Sequence, residues 1–131
     1  MTDSIRQEKI KAAHALMNEN KYVEAMPILE ALSKEFQESR NVLMLSALCN
    51  QNLGNIDQAE TLFKRAVARA PKHEKASMGL FFLYHDEGRF GDALRELLRF
   101  QEVSFSQDYK EMKDRIIQEW GSVDKYLSAQ D

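Results

Sequence analysis

Ala25, Ala59 and Ala93 are spaced by successive gaps of 34 residues, and each stands in the same local pattern. A turn and an apolar residue precede each alanine: Asn20-Lys21-Tyr22, Gly54-Asn55-Ile56 and Gly88-Arg89-Phe90. Four residues after each comes a large apolar side chain, Leu29, Phe63 or Leu97. A period of this length in helix-forming sequence is the mark of a solenoid made of helix pairs. Three such pairs make a concave surface and, as a rule, no enzyme pocket. The repeat therefore constrains function more than any single residue does.

The 131 residues are one domain's worth of chain, so a single domain spanning 1–131 is expected. The period divides it into units 6–39, 40–73 and 74–107, each two antiparallel helices joined by a short turn. Ser4-Ile5-Arg6-Gln7 reads as a capping box opening the first helix. Asn20, Gly54 and Gly88 fall where a helix must end in a left-handed residue, and Pro71 separates the second unit from the third. Pro27 is expected in the first turns of its helix, where a lost amide donor costs least. Inward faces alternate small and large, as with Leu43, Ala47, Ala59, Phe63 and Ala66 in the middle unit. The third unit departs from this pattern, with Phe100 where Ala66 stands one period earlier and Phe105 where Pro71 stands.

Residues 108–131 read as a C-terminal capping segment. Tyr109, Met112, Ile116 and Trp120 share one helical stripe that can cover the apolar end of the last unit. Gly121-Ser122 ends that helix, and Val123, Tyr126 and Leu127 are placed to make a short final turn that folds back. The alternative is that the Trp120 stripe is itself a docking surface.

On these residues the chain resembles the tetratricopeptide repeat family over residues 6–107. The middle unit carries Leu43, Ala47, Gly54, Ala59, Phe63, Ala66 and Pro71 at that family's preferred places. The first offers Ala12, Ala13, Leu16, Tyr22, Ala25, Leu29 and Leu32. The third offers Leu80, Tyr84, Gly88, Phe90, Ala93 and Leu97, with Phe81 in place of the usual small residue. The resemblance implies an all-α fold, a right-handed α-solenoid of three helix-turn-helix units with a C-terminal capping helix. It also implies a groove that binds peptides, and a role as adaptor, scaffold or chaperone.

Carried onto this frame, the family's groove positions fall on Ile10, His14 and Met17 in the first unit, Met44, Leu48 and Asn52 in the second, and Lys75, Met78, Phe82 and His85 in the third. Such a surface is apolar at its centre, and flexible methionines suit a groove that accepts varied apolar side chains. Asparagine amides such as Asn18, Asn41 and Asn52 both donate and accept, as the backbone of an extended peptide requires. The competing reading is that Met44, Leu48, Met78 and Phe82 only pack against neighbouring helices. Family members that clamp the C-terminal carboxylate of heat-shock chaperones use basic residues and asparagines where this chain has Ile10, His14, Leu45, Lys75 and Gly79. Only Lys75 has that chemistry, which argues against a carboxylate clamp. Small three-repeat chaperones of bacterial secretion systems resemble this chain in size, acidity and groove character, although they usually carry an N-terminal helical extension.

Other chemistry finds little support. The net charge of −3 draws the molecule neither to nucleic acid nor to anionic lipid. The basic stretch Lys64, Arg65, Arg69, Lys72, Lys75 lacks interleaved aromatics and reads as a solvated face. His14, His73 and His85 have no metal-helix spacing, so neither metal nor cofactor is expected. Cys49, among Leu45, Leu48 and Leu53, reads as a small buried residue and cannot form an internal disulfide. No phosphate loop, nucleophile elbow or carboxylate dyad is present, and no run suggests a signal peptide or a membrane span. The expectation is a cytoplasmic, non-catalytic interaction module whose partner offers an apolar protein segment. Structural self-association through the same surface or the Trp120 helix is the alternative, as is a small chaperone of the secretion-system type.

Overall fold

The computed structural model describes residues 2–130. Among them are eight helices: α1 (Thr2–Asn18), α2 (Tyr22–Glu35), α3 (Arg40–Asn52), α4 (Ile56–Arg69), α5 (Glu74–Asp86), α6 (Phe90–Val103), α7 (Gln107–Trp120) and α8 (Val123–Gln130). The chain divides into two compact units, Met1–Ala70 and Pro71–Asp131.

The turns inside the pairs repeat bond for bond. Asn20, Gly54 and Gly88 have φ of 62°, 86° and 74°, the left-handed region that ends a helix. In each case the next residue's amide reaches back to a carbonyl five residues earlier. Lys21 donates to Leu16, Asn55 to Asn50 and Arg89 to Tyr84, all at 2.8 Å. The following helix then opens with its alanine amide on that residue's carbonyl, Ala25 on Lys21, Ala59 on Asn55 and Ala93 on Arg89. The periodic alanine thus lies one turn into the second helix of each pair, and all three are buried. Without a side chain beyond Cβ, it lets the helix axes approach.

The first helices of the second and third pairs, α3 and α5, are capped by side chains instead. Ser39 Oγ accepts from the Val42 amide at 3.4 Å, and His73 Nδ1 accepts from the Ala76 amide at 3.2 Å. The Ser4 capping box does not form, because α1 already runs from Thr2 and Ser4 lies within it. Pro27 is the sixth residue of α2, within its first two turns but past the free amides of the helix start. It removes the bond to the Val23 carbonyl, but Val23 is exposed, so water can serve that carbonyl.

In the first unit, Ala13 and Met17 from α1, Ala25, Leu29 and Leu32 from α2, and Val42 and Cys49 from α3 form one apolar cluster. Cys49 is fully buried, its thiol donates to the Tyr22 carbonyl at 3.3 Å, and burial pushes its pKa up. Three residues of the basic stretch are paired: Lys64 meets Glu60 at 2.8 Å, and Arg65 and Arg69 meet Glu38 at 3.6 and 3.5 Å.

In the second unit, α7 covers α5 and α6 through one residue above all. Tyr109 is fully buried, its ring 5.5 Å from those of both Phe81 and Phe100. Its placement departs from the period. Four residues join α4 to α5, but only Ser104, Phe105 and Ser106 join α6 to α7. Ser106 Oγ caps α7 by accepting from the Tyr109 amide at 3.2 Å. In the strict 34-residue frame Tyr109 matches Lys75, which is exposed. Counted from the caps it matches Ala76, which is buried. One residue on a helix is about 100° of rotation, enough to turn an outward position inward. The expected short final turn is the helix α8, which packs on α6 and α7. Gly91 of α6 is buried beneath it, and a Cβ there would stand 3.5 Å from Cβ of Gln130.

Candidate functional site

The groove positions meet different fates in the two units. Met17, 8% exposed, belongs to the core cluster of the first unit, which corrects its placement in the groove. Its stripe on α1 faces α2 and α3 rather than open surface. Ile10 is half-buried against the same cluster. His14 is exposed, with Nδ1 3.3 Å from the Asn18 amide nitrogen. Met44 is half-buried and Leu48 is 37% exposed, so Leu48 is not simply a packing residue. Asn52 is exposed, although its side chain already donates to the Leu48 carbonyl at 2.8 Å.

In the second unit Lys75 is exposed and Met78 half-buried, and neither reaches the cavity that forms there. Phe82 and His85 do. They line a cavity of about 280 Å³ between the end of α5, the start of α6, the end of α7 and α8. Its apolar lining includes Ala93, Leu94 and Leu97 from α6 and Met112 and Ile116 from α7. Phe90, Trp120 and Tyr126 add aromatic surface, and Arg115 and Glu119 bring two opposite charges. Phe82 is 44% exposed and Trp120 42%, large apolar groups left in contact with water.

Phe81 organises this region. Ala13 and Ala47 occupy its place in the earlier pairs, and both are fully buried. Phe81 puts a ring where they put a methyl group: it meets Phe82 edge-on at 5.2 Å, stacks on His85 at 6.3 Å and touches Tyr109. His85 also lies edge-on to Phe90 at 5.1 Å, and Trp120 to Tyr126 at 5.5 Å. The cavity is thus walled by aromatic pairs that hold one another in place. The sequence signalled Phe81 as an anomaly, but not Phe90, Arg115, Glu119 or Tyr126 as a lining. Their approach is a product of how α7 and α8 fold back.

Behind the aromatic wall lies a buried polar chain. Glu96, 7% exposed, accepts from Ser77 Oγ at 2.7 Å and from Arg99 at 2.9 and 2.6 Å. Since the Ser77 proton goes to that carboxylate, the Tyr109 hydroxyl donates to Ser77 Oγ, 2.8 Å away. Burial drives the Tyr109 pKa far above its ordinary value, and the nearby Glu96 charge pushes the same way. Arg99 also donates to the Pro71 carbonyl at 3.1 Å, and its bond to Glu96 raises its own pKa.

Among the described residues no cluster of three His, Cys, Asp or Glu side chains is placed to hold a metal ion. No described helix is long and apolar enough to cross a membrane.

Helix pairs of fixed period, left-handed turns at matching places and a C-terminal helix over the last pair define a helical-repeat interaction protein. Models of the tetratricopeptide repeat match residues 10–74 and 52–115, and the chain belongs to the tetratricopeptide repeat family. A stretch of 78 residues is 31% identical to the rhomboid protease GluP of Bacillus subtilis (strain 168), which covers 60% of this chain and 15% of that protein. The chain thus spans under one sixth of GluP's length. The fold is similar to that of the Yersinia enterocolitica type III secretion chaperone SycD in complex with a peptide of the translocator YopD. The TM-score is 0.72 at 18% identity, over 99% of this chain and 94% of that one. A variant of MamA superposes with a TM-score of 0.66 at 24% identity, over 77% of this chain and 74% of that one.

Proposed function

We propose that this protein is a non-catalytic module that holds an apolar segment of a partner protein, anchored in the cavity beside Phe82 and Trp120. The observation that carries this reading is the cavity itself. Two large, water-exposed rings flank an apolar recess that the chain's own side chains leave open. Burying one large apolar anchor there is worth roughly 1.5–3 kcal/mol, so a few such contacts make a micromolar-class site after ordering costs. Lys75, Met78 and His85 in the same unit are proposed as further contacts, and Ile10, His14, Met44, Leu48 and Asn52 as contacts that the first unit offers by itself. Met17 is not among them. SycD, whose fold covers nearly this whole chain, was solved holding a translocator peptide, which supports a segment-holding role.

The test is affinity capture of binding proteins by the wild type and by Met44→Glu/Phe82→Glu, both first shown folded by their helical circular-dichroism melts. A partner held by the wild type and lost by the variant supports the reading. Partners retained undiminished by the variant overturn it.

A further inference from the structure

The two units differ in charge. Residues 1–70 carry nine basic and nine acidic side chains, whereas residues 71–131 carry nine basic and twelve acidic. The whole net charge of −3 therefore belongs to the unit that holds the cavity. Glu119 lies on the lining, and Asp86 and Glu87, both exposed, follow lining residue His85 directly in the chain. Arg115 is the one Lys or Arg on the lining. Much of the remaining basic charge of this unit is already engaged: Arg89 and Arg95 with Asp92, Arg99 with Glu96, and Lys110 with Asp114.

The recess has room for a large anchor side chain. The cavity measures about 280 Å³. Its lining offers carbon and aromatic faces to that anchor, with Arg115 and Glu119 as its charged members. Opposite charges across a rim select partners and set register more than they add affinity.

We infer that the segment held here is a basic one: a large apolar anchor, best an aromatic ring, flanked by lysine or arginine that meets Glu119 and the acidic end of α5. This rests on the segment-holding reading above and narrows it. The anchor fills the recess, and the flanking cations distinguish such a segment from an equally apolar acidic one.

Trp120 is the only tryptophan in the chain and lines the cavity, so its fluorescence reports occupancy directly. The full chain is titrated with short blocked peptides that differ only around a central phenylalanine, which stands between lysines, serines or glutamates. The lysine-flanked peptide is expected to shift Trp120 emission and bind at least tenfold more tightly than the glutamate-flanked one. Raising salt from about 0.1 M to about 1 M shortens the screening length from roughly 10 Å to roughly 3 Å and should remove most of that preference. Glu119→Gln should weaken only the lysine-flanked peptide, and Arg115→Ala should strengthen it. Equal binding by all three phenylalanine peptides overturns the basic-segment inference and leaves the apolar-anchor reading standing. Equal binding by a lysine-flanked peptide with alanine at the centre would show that charge alone binds, and overturns it too. If no peptide moves Trp120 emission in the folded chain, both readings fall.

Discussion

The Tyr109 hydroxyl donates to Ser77 Oγ at 2.8 Å, and through that serine α7 is tied to the Glu96 carboxylate on α6. One period earlier the places of Ser77 and Glu96 are held by Leu43 and Leu62, both buried. The last pair has thus exchanged an apolar contact for a polar chain that accepts only one orientation of the capping helix.

A chain of buried partners is costly to break and cheap to replace whole. Glu96→Leu alone should destabilise the protein by roughly 2–4 kcal/mol in urea melts, because Ser77 and Arg99 lose their acceptor. Ser77→Leu/Glu96→Leu/Tyr109→Phe, which restores the leucines, removes the hydroxyl and leaves the 32% exposed Arg99 to water and the Pro71 carbonyl, should lie within about 1 kcal/mol of wild type. A triple variant as unstable as the sum of its single changes would show that the groups act independently.

Alkaline pH probes the same tyrosine. Its pKa in the folded protein stands above the ordinary value of 10, so between the two values the unfolded chain loses a proton that the folded chain keeps. Stability is therefore fully present below pH 10 and falls as the pH rises above it, by up to about 1.4 kcal/mol per pH unit from this group. Urea melts from neutral to alkaline pH should show this fall, and Tyr109→Phe should remove that share of it. Tyrosinate absorbance should show Tyr109 ionising only as the protein unfolds.

The three pair turns should respond to substitution chiefly according to φ, with one exposed side-chain bond in addition, which the Tyr22 hydroxyl donates to Asn20 Oδ1 at 3.3 Å. A Cβ added at Gly54 or Gly88 meets nothing within 4 Å, so Gly54→Ala or Gly88→Ala pays only the left-handed penalty of about 1–2 kcal/mol. Asn20, at φ 62°, already bears such a penalty, and Asn20→Gly should be neutral or stabilising by up to about 1 kcal/mol. Thermal melts of the three variants order these effects.

Cys49 should be inert in the native state. Its thiol is fully buried and its pKa is raised, so little reactive thiolate exists and no reagent reaches it. Labelling by a thiol reagent at neutral pH should proceed only through opening of the first unit, and should accelerate steeply with sub-denaturing urea. Labelling at the rate of a free thiol, without urea, would contradict this packing.

Much of the architecture is legible before any coordinates. The 34-residue spacing of the alanines, the left-handed turns and the break at Pro71 are enforced by nearest-neighbour backbone chemistry. The stripe Tyr109, Met112, Ile116, Trp120 likewise announces a covering helix. Less legible is which methionine of a repeating set is core. Met17 and Met44 both lie on groove positions by their places in the period, yet Met17 is sealed between α1, α2 and α3 while Met44 is half-buried. A helical stripe states which side chains share a face, but not what packs against it.

The boundary between the two kinds of knowledge is clearest at α7. Local sequence determines that residues 107–120 form an amphipathic helix capped by Ser106, because capping and periodicity act within a few residues. Its orientation is decided in three dimensions. The linker shorter by one residue, the Phe81 ring in a place held earlier by alanine, and the buried partners of Tyr109 together turn one face inward. The cavity beside Phe82 and Trp120 is the space left where α7 and α8 fold back over α5 and α6. No periodicity encodes that space, because it is set by the shapes of side chains from four helices that meet only when folded.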